Sequence, residues 1–174
     1  MEKDEEKGAE YIERAAKMGN TRAQYSLGVC YEIGRGKEKD DAASLFWYTK
    51  SAEQGDPEAQ NEVGVNYQLG VGTEQDYKKA VKWYQKAAGQ NYAEGQFNLG
   101  CCYDEVYGVK QSDKQAMKWY QKAAEQNHAK AQFNLGYCYD KGQGGKKDYD
   151  KAAMWYTKAA EQNYDRAQFS LGGL

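Results

Sequence analysis

Four cysteines, one histidine and a series of Gly-x-Gly pairs are the residues of this 174-residue chain whose types could do chemistry. Cysteines at C-x-x-C spacing would hold zinc, and cysteines on both helices of a unit would form a disulfide framework. Neither arrangement occurs. Cys30, Cys102 and Cys138 occupy one recurring place, and Cys101 adjoins Cys102. A cysteine that recurs in this way reads as a small buried hydrophobe. His128 stands in a turn with no nucleophile beside it, so it reads as a turn residue rather than a base or ligand. The Gly-x-Gly pairs follow helices and recur as loop punctuation, unlike a phosphate-binding loop that follows a strand. No catalytic residue, metal ligand or cofactor is expected, and the chain reads as a non-enzyme.

The elements that would position such residues repeat. The string Ala-Gln-x-x-(Leu/Val)-Gly begins at Ala23, Ala59, Ala131 and Ala167, with a variant at Gly95, so the period is 36 residues throughout. A fixed period in this range marks a stacked-repeat protein. In the copy from Ala59 to Glu94, Asp56 caps a helix A that starts at Pro57, where a missing N–H costs nothing. Ala59, Val63 and Tyr67 mark its apolar face, and Gly70 and Gly72 end it. Asp76 caps a helix B whose Ala80, Trp83, Tyr84, Ala87 and Ala88 share one face. Asp40, Ser112 and Asp148 cap the other copies of helix B. Gly55, Asn91, Asn127 and Asn163 close them, being residues that tolerate the left-handed conformation.

Gly28, Gly64, Gly100, Gly136 and Gly172 recur inside helix A, where glycine costs about 1 kcal/mol relative to alanine. A cost met in every copy implies close approach of helix B, with the small residues Ser44, Ala80, Ala116 and Ala152 expected opposite. Trp and Tyr of each helix B are expected to reach the next repeat. The third copy carries Val106 where Gly34, Gly70 and Gly142 stand, so a loop of the same length and different shape is expected there. The fold expected is all-α, a right-handed α-solenoid superhelix of stacked antiparallel helix pairs in one domain. Residues 4–19 supply a lone helix B, 23–58, 59–94, 95–130 and 131–166 four full repeats, and 167–174 a truncated fifth. Its uncapped end, with Phe169 and Leu171, offers end-to-end self-association.

Charged residues make up 29% and the net charge is −2, a poor balance for binding nucleic acid. No stretch approaches the ~20 apolar residues of a membrane helix, and the charged start lacks the apolar core of a signal peptide. No membrane insertion and a cytoplasmic location are expected. Lys78, Lys79 and Lys82, Lys110, Lys114 and Lys118, and Lys146, Lys147 and Lys151 would stack into a basic edge, read as a solvated face.

The unit Ala-x-x-x-Leu-Gly-x-x-Tyr-x-x-Gly-x-Gly, then Asp, then Ala-x-x-Trp-Tyr-x-Lys-Ala-Ala-x-Gln-Gly/Asn resembles the Sel-one-like repeat (SLR), a relative of the tetratricopeptide repeat. The resemblance covers nearly the whole chain. It implies an adaptor or scaffold that brings proteins together. One cysteine-rich bacterial branch of the family is associated with β-lactam binding or hydrolysis, and its members bridge the two helices of each repeat by a disulfide. This chain lacks those cysteine pairs.

The resemblance also places helix A on a concave surface, with Tyr25, Asn61, Phe97, Phe133 and Phe169 in one row. Val29, Val65, Cys101 and Tyr137 form a second row, and Ser26, Glu62, Asn98 and Asn134 a third. Phe97, Phe133 and Tyr137 would anchor a partner peptide or helix, and Asn98 and Asn134 would hydrogen-bond its backbone. The partner-binding residues expected are thus Tyr25, Asn61, Phe97, Asn98, Phe133, Asn134 and Tyr137. The same run also reads as the repeat's own packing grammar, with Phe wedged between neighbouring helices. A structural or regulatory arm of a larger protein is the alternative function, and an SLR-type β-lactam-binding hydrolase, which the resemblance alone implies, is the weaker one.

Overall fold

The computed structural model of the chain describes residues 2–171, and these form ten α-helices and no strand. Contacts divide the chain into two compact units, residues 1–87 and 88–174. The first holds α1 (Glu2–Lys17), α2 (Thr21–Ile33), α3 (Asp41–Glu53), α4 (Pro57–Leu69) and most of α5 (Tyr77–Gly89). The second holds the end of α5 with α6 (Ala93–Asp104), α7 (Asp113–Glu125), α8 (Ala129–Lys141), α9 (Tyr149–Glu161) and α10 (Asp165–Leu171). The even-numbered helices are the A helices, the odd-numbered ones the B helices, and the pairs stack as a solenoid. The truncated fifth repeat contributes α10, while Gly172 lies outside the described residues.

Capping follows the side chains. Asp40, Asp76 and Asp148 accept from the backbone N–H groups of Ala43, Lys79 and Lys151 at 2.9, 2.9 and 3.0 Å. Ser112 does the same for Gln115 at 3.3 Å. Each caps a B helix by filling one of its orphan donors. Asn91, Asn127 and Asn163 follow the B helices with φ of 62, 63 and 60°, the left-handed closure expected of asparagine.

The helix A glycines are sites of contact, with a different neighbour from the one expected. A Cβ at Gly28 or Gly64 would fall 2.6 Å from the ring of Tyr48 or Tyr84, and at Gly100 or Gly136 2.7 Å from Tyr120 or Tyr156. The partner is therefore the tyrosine of the same pair, lying flat where a side chain would stand. The small residues Ser44, Ala80, Ala116 and Ala152 are buried, and Ala116 also approaches its glycine, its backbone oxygen 3.4 Å from a Cβ at Gly100, but the ring is nearer in every pair. These four tyrosines are the largest fully buried side chains among the described residues.

Tryptophan also departs from expectation. Trp47 packs with Ala9, Ala16 and Leu27, Trp83 with Leu45, Tyr48 and Ala52, and Trp155 with Tyr120, Ala123 and Ala124. These tryptophans thus face the preceding B helix, whereas the tyrosines reach the next repeat as expected, Tyr48 clustering with Ala59 and Val63 of α4 and Tyr120 with Ala131 and Leu135 of α8.

The third loop keeps the shape of the others. Val106 has φ 65°, against 71, 71 and 73° at Gly34, Gly70 and Gly142. The hydrogen bonds that frame the loop agree too. Tyr107 N–H reaches Cys102 O at 3.0 Å, as Arg35, Val71 and Gln143 reach Cys30, Asn66 and Cys138 at 2.9–3.0 Å. The expected change of shape does not occur, because the frame holds a β-branched residue in a conformation that costs it energy.

The second glycine of three loops has its own role. A Cβ at Gly36, Gly72 or Gly144 would meet the backbone oxygen of Glu5, Asp41 or Asp113 at 2.2, 2.3 or 2.6 Å. Each loop is thereby pressed against the first turns of the preceding B helix.

Candidate functional site

The exposed faces of the A helices carry the candidate site, and their geometry is set by what lies beneath them. In the second unit Phe97 is half-buried, stacked on His128 with centroids 4.7 Å apart and tilted on Tyr120 at 6.0 Å. Phe133 is likewise half-buried between Tyr156 at 5.5 Å and Tyr164 at 5.3 Å, with the Arg166 guanidinium 5.8 Å from its centroid. Both phenylalanines therefore pack into the repeat and also show an edge outside. Tyr137 is 41% exposed and is the most open of the expected residues. Asn98 and Asn134 are half-buried.

Two buried tyrosines gather these residues. The ring of Tyr120 supports Phe97, and its hydroxyl lies near the Asn134 side chain. The same hydroxyl lies 3.1 Å from Asp104 Oδ2 and 3.6 Å from Cys101 Sγ. Burial pushes its pKa far above the ordinary phenol value, and the nearby Cys101 and Asp104 add to the effect. Burial likewise holds Tyr156, which supports Phe133, at about 12, with Asp140 and Tyr137 contributing. Phe97, Phe133, Asn134 and Tyr137 are thus assembled around Tyr120 and Tyr156.

In the first unit Tyr25 is half-buried, 5.4 Å from the ring of Tyr48 and with the Arg22 guanidinium 4.7 Å from its own centroid. Asn61 corrects the expectation. It is 2% exposed and presents no surface to a partner. Its side chain is shorter than the rings at the matching places and stays within the packed layer, where its amide reaches Glu62 Oε1 at 3.3 Å.

His128 is more than a turn residue. Its Nδ1 accepts from Ala131 N–H at 3.1 Å and so caps α8. That bond leaves the proton on Nε2, which donates to Glu94 Oε2 at 2.8 Å. The hydrogen bond from His128 is the main reason that the Glu94 carboxyl sits below the usual carboxylate range. The signal in the sequence was positional: His128 stands where Asn20 and Asp56 cap the earlier A helices.

The glutamine of the Ala-Gln string was also missed. Gln24, Gln60, Gln96 and Gln132 are buried, and their amides donate to the carbonyls of Ala16, Ala52, Ala88 and Ala124 at 3.1–3.5 Å. The oxygens of Gln24, Gln96 and Gln132 accept from Gln54, Gln126 and Gln162 at 2.6–2.8 Å. Each of these A helices is tied to the B helix before it and the one after it. Recurrence of glutamine at both places was the available sign.

The cysteines are free, and burial raises Cys101 to about 11 and Cys102 and Cys138 to about 12. At neutral pH they are thiols rather than nucleophilic thiolates. Lysines of the basic edge are exposed, and Lys79 and Lys151 pair with their own cap residues Asp76 and Asp148 at 3.7 and 3.2 Å. Among the described residues, no helix is long and apolar enough to cross a membrane.

The chain belongs to the Sel1 repeat family, whose model matches residues 1–20, 21–56, 57–92, 93–128 and 129–164. Among solved structures it is similar to c5321, a protective antigen of uropathogenic Escherichia coli with an SLR fold, at 35% identity and a TM-score of 0.93. That match covers 96% of this chain and 36% of the antigen, so the chain spans about a third of that protein's length. A Sel1 repeat protein from Oxalobacter formigenes is similar at 34% identity and a TM-score of 0.89, covering 97% of this chain and 67% of that one. The fold is shared with YrrB, described as a TPR protein with an unusual peptide-binding site, at 20% identity and a TM-score of 0.59. The latter match covers 99% of this chain and 85% of YrrB, a likeness of fold alone. No curated protein matches the sequence.

Proposed function

We propose that this Sel1 repeat chain is a non-enzymatic interaction module that holds a segment of a partner protein against its A-helix faces. The observation that carries the reading is the cluster of Tyr137, Phe97, Phe133 and Asn134 around two buried tyrosines. It combines an exposed aromatic, two ring edges and an amide on a rigid base, which is the composition of an interface anchor. Rigid support lowers the ordering cost of binding. The raised thiols and the structural duties of His128 fit a scaffold better than a catalyst.

Tyr137→Ala tests the reading, because that side chain is the most exposed of the cluster. Proteins captured by the immobilised intact chain are to be compared with those captured by the variant, and the melting temperatures measured alongside. At least one partner should lose affinity by about tenfold at unchanged melting temperature. Equal capture by both proteins would favour a structural arm instead.

A further inference from the structure

Ile12, Ser26, Val29, Cys30, Ile33 and Arg35 enclose a recess of about 170 Å³ in the first unit. Its wall is mostly carbon, and Ile33 is 58% exposed at its mouth. Ser26, Val29 and Ile33 are spaced to share one face of α2, and Glu62, Val65 and Leu69 repeat that spacing on α4. Leu69 is 63% exposed. The two helices are joined, since Val29 packs against the cluster that holds Ala59 and Val63 of α4 and Arg22 meets Glu58 at 2.6 Å. Val29 with Val65 and Ile33 with Leu69 are thus two aliphatic rungs in repeat register on α2 and α4. The matching places of the second unit hold Cys101, Tyr137, Glu105 and Lys141, so the patch is particular to the first.

The charge around it is mainly negative. Ile12, Cys30 and Arg35 also line an adjoining opening with Asp4 and Glu5 of α1, both exposed, and Glu62 is spaced to share the α4 face of Val65 and Leu69. Arg35 is the one cation among the residues lining the recess and its opening. A contiguous exposed aliphatic patch marks a place of contact, and carboxylates beside it select the sign of what is bound.

We propose that this face takes a partner segment bearing an aliphatic anchor beside basic residues. The anchor enters the recess, a second aliphatic side chain covers Val65 and Leu69, and the basic groups meet Asp4, Glu5 and Glu62. The inference rests on the reading that A-helix faces receive partner proteins, and it adds the kind of segment received.

The probe is a random peptide library displayed on phage and selected on the 174-residue chain, with the enriched peptides synthesised and titrated. The expected consensus joins Leu, Ile or Met to Lys or Arg. Ile33→Glu and Leu69→Glu each lower the affinity by about tenfold or more, while Lys146→Ala on the exposed edge of the second unit leaves it unchanged. Replacing Asp4 and Glu5 by Lys weakens binding and flattens its dependence on salt, as screening of surface charge requires. A consensus without basic residues, or binding indifferent to Ile33→Glu and Leu69→Glu, overturns the inference and leaves the broader reading standing. Failure of any peptide to enrich overturns both.

Discussion

Ser44 takes the place that Ala80, Ala116 and Ala152 fill in the other copies, and its hydroxyl is buried with no hydrogen-bond partner. A buried unsatisfied hydroxyl costs on the order of 1–3 kcal/mol, and alanine is also the better helix former. Ser44→Ala should therefore stabilise the chain by about 1 kcal/mol, read as a higher denaturant midpoint at unchanged slope. A lower midpoint would mean that the hydroxyl is satisfied after all. Glu94 provides the opposite case, a polar group that is well used. Its folded pKa is depressed, so its contribution is present above the unfolded value of about 4.3 and is lost as pH falls through the lowered folded value. The stability gap between the parent and Glu94→Gln should accordingly be small but measurable at pH 7, a fraction of a kcal/mol after solvent screening, and should close in acid. Denaturant titrations at neutral pH and near pH 3 decide the matter, and a gap independent of pH would remove the His128 bridge from the account.

Helix pairing depends on a tyrosine ring seated on a glycine. A methyl group at Gly100 would fall 2.7 Å from the buried ring of Tyr120, which has no room to retreat. Overpacking of this kind costs about 1–3 kcal/mol, so Gly100→Ala should destabilise by that amount despite its better helix propensity. Gly8 lies inside α1 with nothing within 4 Å of its would-be Cβ, and Gly8→Ala should stabilise by about 0.5–1 kcal/mol. If both substitutions moved the melting temperature in the same direction, propensity rather than packing would govern these glycines. The loop between α6 and α7 gives a related prediction. Val106 is exposed and held at φ 65°, so Val106→Gly should raise stability by about 1 kcal/mol in thermal melts, with no packing lost to offset it. No gain would place the loop in a different conformation.

The architecture is largely legible in the sequence, because a 36-residue period constrains caps, helix faces and turns together. The caps Asp40, Asp76, Ser112 and Asp148 stand where the sequence places them. Contacts made across the pairs were harder to see. A glycine announces that something comes close, but not whether it is a methyl or a ring, so Tyr120 was missed and Ala116 was expected instead. Burial of Asn61 was hidden for a related reason: periodicity assigns it to the row of Phe97 and Phe133, while side-chain length decides whether it emerges. His128 and the glutamines show the same gap, since a polar residue in a turn or a helix does not reveal its hydrogen-bond partner. The loop glycines Gly36, Gly72 and Gly144 carry a last consequence. Each touches the backbone of the preceding B helix, so each joint is gauged by main chain rather than by replaceable side chains. Side-chain changes elsewhere in a unit leave that gauge untouched, whereas a single inserted or deleted residue ahead of the loop glycine would misalign it. Such an array can drift in surface chemistry from copy to copy and change its length only in whole units.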